Sequence, residues 1–255
     1  MKFQWIITND DIGLLKDFVF ENIDNNFVRS RMLKNLIDIP SPIEKDEFWK
    51  WMISCLLTTQ QRSGPNSRIF KFIYKKPFPL NYSFCFESKN LVVDTYRILA
   101  SYGGIRRTNK ISEEIEYNFS WLENGGWRMV FEVLNELYIL REKKPDSQNI
   151  LLERKACLVT QNLKGIGPKQ SRNLLQALGL TRFEIPIDSR IIKWLNKNGF
   201  PLKLSASGMS DENYYQFIMS GIQEWCNQAS VIPCVLDAAI FSSYDEEWPE
   251  NNEIW

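Results

Sequence analysis

The sequence predicts an all-α protein, and three features of the 255-residue chain predict it. Apolar side chains recur at helical spacing along almost its whole length, the pattern of amphipathic helices with one buried stripe. The strict apolar–polar alternation of a half-buried strand is rare. Finally, Pro and Gly punctuate the pattern at helix starts and ends.

Taken in order, Leu14, Leu15, Phe18 and Val19 begin an amphipathic helix near the N-terminus. Ser41-Pro42 followed by Glu44 reads as a helix start with Pro in the first turn. That helix carries Phe48, Trp49, Met52, Ile53, Leu56 and Leu57 inward and ends near Thr59. Another follows Ser63-Gly64-Pro65, with Ile69, Phe70 and Ile73 on one side. Lys76-Pro77-Phe78-Pro79 breaks the pattern and opens a loop to about Ser88. Helices resume at Leu91 to Leu99, Ile111 to Phe119, Trp127 to Leu140 and Ile150 to Leu163, with a Tyr102-Gly103-Gly104 turn between the first two. Late helices span about Asp211 to Cys226 and Pro233 to Phe241.

Composition narrows the function. The chain has no histidine, which removes Ser-His-Asp, Cys-His and His-Glu-x-x-His chemistry together. Acid–base or nucleophilic work falls to Lys, Asp, Glu, Tyr or Cys. Five scattered cysteines imply no disulfide framework, and the N-terminus meets Asn9, Asp10 and Asp11 too early for a signal-peptide core. No apolar run approaches the roughly 20 residues that span a bilayer. These features predict a cytoplasmic protein. Net charge is zero, but residues 60–110 hold ten basic side chains against Glu87 and Asp94 alone, while Asp245, Glu246, Glu247, Glu250 and Glu253 make the tail acidic. Such asymmetry suits a phosphate-binding face, and equally a set of solvated helix faces.

Residues 163–195 carry the chemistry. Gly165-Ile166-Gly167 forms a tight hairpin after a helix ending at Leu163, and Pro168 opens the next helix, which runs to about Ala177. The two glycines allow positive φ and close approach to a ligand. Exposed N–H groups at the new helix start form an anion site suited to DNA phosphate, with Lys164 and Arg172 adding cations. Ile166 plugs the gap between the two helices.

The segment resembles the helix-hairpin-helix plus Gly/Pro/Asp motif of the DNA glycosylase superfamily, and most nearly its compact 8-oxoguanine glycosylases, in the Lys164-Gly-Ile-Gly-Pro-Lys169 string. The resemblance implies an aspartate after a short apolar stretch, and Ile185-Pro186-Ile187-Asp188 supplies one 19 residues beyond Lys169. It further implies that Lys169 is a nucleophile forming a Schiff base with the sugar and that Asp188 stabilises sugar cation character. Gln60, with Gln61 and Arg62 beside it, matches the position of the side chain that fills the hole left by an extruded base. Gly103-Gly104-Ile105-Arg106-Arg107 resembles the family's glycine-and-basic turn, and Pro233 to Asp237 its late core helix. Endonuclease III-like members end in four cysteines holding an iron–sulfur cluster; only Cys226 and Cys234 lie in that region here, so no cluster and no metal are expected.

The implied architecture is two helical subdomains flanking a DNA-binding cleft. The inner one spans 41–180, with the helix-hairpin-helix at about 150–178; the outer one combines 1–40 with 181–255. The expected partner of this monomer is double-stranded DNA containing a modified base, an 8-oxoguanine-like purine as the first choice. Two alternatives stand beside it: a monofunctional glycosylase removing a bulky hypermodified base of phage DNA, and a non-catalytic helix-hairpin-helix DNA-binding module. Asp188 as a plain helix cap and Lys169 as a phosphate contact are the structural alternatives for those residues.

Overall fold

Thr8 opens the first helix, α1 (Asn9–Asn22), through a reciprocal capping box with Asp11. The computed structural model describes residues 4–61, 64–141, 143 and 147–244. Among the described residues all regular structure is helical, with no strand, and no helix is long and apolar enough to cross a membrane. Asn25 caps a second helix, α2 (Asn26–Met32), which runs on as a π-helical turn over Leu33–Ile37. Neither piece was marked by the apolar pattern.

The segment after Ser41-Pro42 stays extended, and α3 (Lys45–Thr58) starts at Glu44 without a side-chain cap. This helix is buried from Trp51 through Thr58, so it forms the centre of a core. Ser67 caps the short α4 (Arg68–Ile73). The expected 77–88 loop contains α5 (Tyr82–Glu87), capped by Asn81 just beyond the prolines. Then come α6 (Leu91–Tyr102), α7 (Thr108–Trp121), α8 (Trp127–Arg141) and α9 (Ser147–Thr160). The hairpin joins α9 to α10 (Pro168–Ala177), and α11 (Ser189–Lys197), α12 (Glu212–Gln228) and α13 (Pro233–Ser242) follow.

Two apolar clusters form. One is drawn from Phe48 through Leu180, contiguous in sequence. The other joins Leu15, Val19, Phe27 and Val28 to residues between Ile185 and Ile240. In the second, α13 packs against α1, α2, α11 and α12. Its apolar content on every face (Cys234, Val235, Leu236, Ala238, Ala239 and Ile240 are all buried) explains that central place.

The seam between clusters is polar and crossed by hydrogen bonds from side chains to main chain. Asn35 donates to the carbonyls of Gln176 and Thr181, at 3.1 and 3.0 Å. Arg182 donates to the carbonyls of Asn35, Lys143 and Arg141, and Arg141 to those of Lys34 and Asp38. The buried Glu153 carboxylate accepts three consecutive backbone N–H groups, from Arg182, Phe183 and Glu184. The irregular crossover after α10 thus has its main chain satisfied by side chains, as buried backbone requires.

Candidate active site

The hairpin is built on one glycine and one asparagine. Gly165 has φ of +84°, and a Cβ there would sit 2.7 Å from Leu56 Cδ2 and 2.8 Å from the Glu114 carboxyl carbon. Gly167 differs: its backbone is extended (φ −93°), it caps α10, and a Cβ would meet nothing within 4 Å. Positive φ is therefore needed at only one of the two glycines. Asn118 of α7 donates to the Lys164 carbonyl (3.0 Å) and accepts from the Lys164 N–H (2.7 Å), fixing the turn from outside. Ile166 is 3% exposed and joins the first cluster. The preceding helix ends at Thr160, three residues before Leu163. Outside the hairpin lies a shallow groove of about 650 Å³ lined by Arg107, Lys110, Lys164 and Gly167.

Asp188 ends the crossover. The Tyr215 hydroxyl of α12 accepts from the Ile187 N–H (2.5 Å) and donates to the Ile185 carbonyl (2.8 Å), pinning the main chain either side of Pro186. Asp188 Oδ1 accepts from the N–H groups of Arg190 and Ile191, capping α11 at 2.7 and 3.1 Å. Its Oδ2 pairs with the Arg190 guanidinium at 3.1 Å, and the side chain remains 18% exposed. Arg190 in turn lies 4.2 Å over the Phe241 ring.

Between the clusters runs a cleft of about 1440 Å³, lined by Gln60, Gln61, Gly167, Lys169 and Asp188. Lys169 sits in the first turn of α10, half-buried. The floor is polar: Arg31 from α2, Gln176 from α10 and Asp237 from α13 all line it. Burial pushes the Asp237 carboxyl up to about 7, opposed by Arg31; Asp188 raises it further, while Gln176 and Lys169 hold it down. Asp237 thus feels both Lys169 and Asp188. The Cys55 thiol behind them is pushed up to about 12 by burial, so it supplies no thiolate near neutral pH.

Lys169 and Asp188 share the cleft with Gln60, Gln61 and Gly167, while Gly165 and Lys164 lie on the outer groove. Gln60 is exposed at the mouth in the left-handed region (φ 59°). Gln61 is committed to the fold: it donates to the Leu57 carbonyl and accepts from the Arg106 N–H, both at 2.7 Å. Arg62 lies outside the described residues, as does the acidic tail. Arg172 is not on the phosphate-facing surface. Its side chain has no exposure, pairs with Glu184 at 2.7 Å and Glu212 at 2.8 Å, and stacks 4.2 Å from the Tyr215 ring. Those acids lie 12 and 40 residues away, so local sequence hid them. Sequence reasoning also missed Asn118, Tyr215, Arg31 and Gln176, whose polar groups look ordinary until the fold brings them together.

No family model matches this sequence, and no curated protein matches it. Solved structures do. The crystal structure of the 8-oxoguanine DNA glycosylase of Methanocaldococcus jannaschii aligns over 94% of this chain and 97% of its own, with a TM-score of 0.60 at 16% identity. That of Thermotoga maritima aligns over 93% and 96%, with a TM-score of 0.56 at 12% identity. The chain has the all-α fold of these glycosylases, the fold that its hairpin resemblance implies.

Proposed function

We propose that this chain is a DNA glycosylase that extrudes a modified base into the cleft and cleaves its bond to the sugar. The observation that carries this reading is the convergence of Lys169 and Asp188 on one cleft between the two apolar clusters, in a fold shared with 8-oxoguanine DNA glycosylases. As the base–sugar bond breaks, its electron pair leaves with the base and positive charge develops on the sugar. The Asp188 carboxylate, held by two backbone N–H groups, stabilises that charge. Lys169 Nζ, in its neutral form, attacks the sugar C1′, and one of its protons passes to the ring oxygen as the C1′–O4′ bond breaks, leaving a protonated Schiff base. Elimination of the 3′ phosphate from that intermediate is the lyase step. Base extrusion costs a few kcal/mol, and Gln60, held outward at the cleft mouth, offsets part of it by filling the vacated stack.

An oxidised, 8-oxoguanine-like purine is the first substrate in this reading. The size of the cleft also admits a bulkier hypermodified base, with a role in defence against phage instead of repair. A duplex panel carrying 8-oxoguanine, uracil, oxidised pyrimidines, alkylated purines and glucosylated hydroxymethylcytosine separates the two. Borohydride added to half the samples is expected to trap a covalent adduct with one member, and Lys169→Gln to abolish it. Asp188→Asn keeps a capping oxygen, so the variant folds while excision falls by several orders of magnitude. Full excision activity in both variants would overturn the mechanism. Tight DNA binding with no excision from any duplex would assign the chain to non-catalytic binding modules.

A further inference from the structure

Arg172 lies one turn beyond Lys169 on α10, fully buried, and the reaction proposed above makes no use of it. All three of its guanidinium nitrogens donate. Nε bonds Glu184 at 2.7 Å, Nη1 bonds the Pro168 carbonyl at 2.9 Å and Glu212 at 3.1 Å, and Nη2 bonds Glu212 at 2.8 Å. The partners come from different elements. Pro168 opens α10, next to Lys169. Glu184 lies in the crossover, four residues before Asp188. Its other oxygen accepts from Arg154 of α9 at 3.4 Å and from Gln223 of α12 at 3.3 Å. Glu212, in the first turn of α12, also accepts from Gln161 and Gln216. The guanidinium carbon sits 4.2 Å from the centroid of the Tyr215 ring, and the Tyr215 hydroxyl grips the main chain on either side of Pro186. Two arginines meet two glutamates, so the frame carries no net charge.

A buried frame of this kind is a poor source of stability. Desolvating the ions offsets their attraction, and packed apolar side chains of similar volume often do as well or better. Its gain is geometric, because the planar guanidinium fork meets two carboxylates, a carbonyl and a ring face in one fixed arrangement. We infer that Arg172 is the positioning residue of the site: it fixes α10 against the crossover, and so sets where Lys169 Nζ stands relative to the Asp188 carboxylate. The apolar cores alone do not set that relation, since α10 packs in the first cluster while Tyr215 and Ile187 pack in the second. The inference rests on the glycosylase reading, in which both groups must meet one sugar, the carboxylate at its developing charge and the amine at C1′. A misplacement of about 1 Å between such groups costs on the order of a hundredfold in rate.

The test compares two variants of the full chain with the unmodified protein. Arg172→Lys keeps the charge, but its single ammonium cannot span Glu184, Glu212 and Pro168 together. The second variant combines Arg172→Met with Glu184→Gln and Glu212→Gln, which leaves no buried charge unpaired, Arg154 being 25% exposed. The probes are the duplex that the unmodified protein excises and the same duplex with a ready-made abasic site. In Arg172→Lys, single-turnover excision is expected to fall about ten- to a hundredfold, with duplex affinity unchanged within about twofold. Borohydride capture of the ready-made abasic aldehyde needs the Lys169 amine alone, so it is expected to fall by less than about threefold. In the charge-free variant the unfolding midpoint is expected to hold or rise, while excision slows by the same factor. A merely structural Arg172 would lower the midpoint and drag excision and capture down together. That proportional loss overturns the inference, as does excision at the unmodified rate in either variant. Failure of the glycosylase reading is a different result: the unmodified protein excises no base from any duplex, and the inference falls with it.

Discussion

Asn118 and Lys164 exchange two hydrogen bonds, side chain to main chain, across 46 residues of sequence. The pair acts as an external clamp on the hairpin, satisfying a turn whose N–H and C=O have no helical partner. Lys164 also lies over the Tyr117 ring, one position from Asn118, so its cation is held beside the outer groove. Asn118→Ala is expected to cost about 1–3 kcal/mol in denaturant unfolding and to weaken duplex binding. Lys164→Ala should leave stability nearly unchanged and lower the slope of log affinity against log salt by about 0.9.

The two hairpin glycines are predicted to respond in opposite ways. Gly165→Ala meets Leu56 and Glu114 and must hold a left-handed backbone, so a loss of at least about 1–2 kcal/mol is expected by calorimetry. Gly167→Ala points into open space at the cap of α10, and its cost should stay near about 1 kcal/mol. Its effect is expected on DNA affinity instead, because the methyl group stands where a phosphate backbone would approach. An alanine at Gly167 that binds DNA normally would remove that contact from the interface.

Tyr215→Phe is a single-atom test of how Asp188 is positioned. The hydroxyl both donates and accepts within the crossover, and its removal leaves the Ile187 N–H and the Ile185 carbonyl unpaired in a buried place. We expect a loss of about 2–3 kcal/mol, and a fall in the rate of base excision larger than any change in DNA affinity. Equal losses in rate and affinity would argue against the Tyr215–crossover link as the positioning device.

Glu153 gives a pH dependence with a definite sign. Burial pushes its carboxyl up to about 8, above the ordinary 4.5, although three backbone N–H groups oppose the shift. An acid that binds its proton more tightly when folded stabilises the fold below its unfolded pKa, and that contribution fades as pH rises through the folded value. Stability should therefore decline between about pH 4.5 and pH 8. Asp237, also raised, adds to the slope in the same direction at lower pH. Glu153→Gln is expected to be less stable at pH 5, through a lost backbone contact, and to show a flatter profile across that window. An unchanged slope would contradict the assignment.

Much of this was legible in the chain because its signals are local. Pro168 marks the start of α10, Gly165 marks the hairpin, and the Lys169–Asp188 spacing stands out within one short segment. The misplaced pieces have local causes too: Pro77 and Pro79 masked α5, which Asn81 caps immediately afterwards. Arg172 looked like a phosphate ligand because a cation beside a glycine turn usually is one; only Glu184 and Glu212, brought in by other elements, bury it. The floor of the cleft was illegible for the same reason. Arg31, Gln176 and Asp237 come from three helices at three points of the sequence, and each alone reads as an ordinary polar residue on an amphipathic helix.

The contrast between the two apolar clusters sets an order for synthesis. One is complete once residue 180 has emerged, since all its members precede that point. The other needs α1 and α2 to meet α13, whose last residue is Ser242, a pairing across more than 200 positions. During translation the hairpin half can therefore close while the N-terminal helices wait for their partner. The outer groove beside the hairpin exists before the cleft does, and Asp188 takes its place in the cleft with Lys169 only after the helices from α11 to α13 have been made.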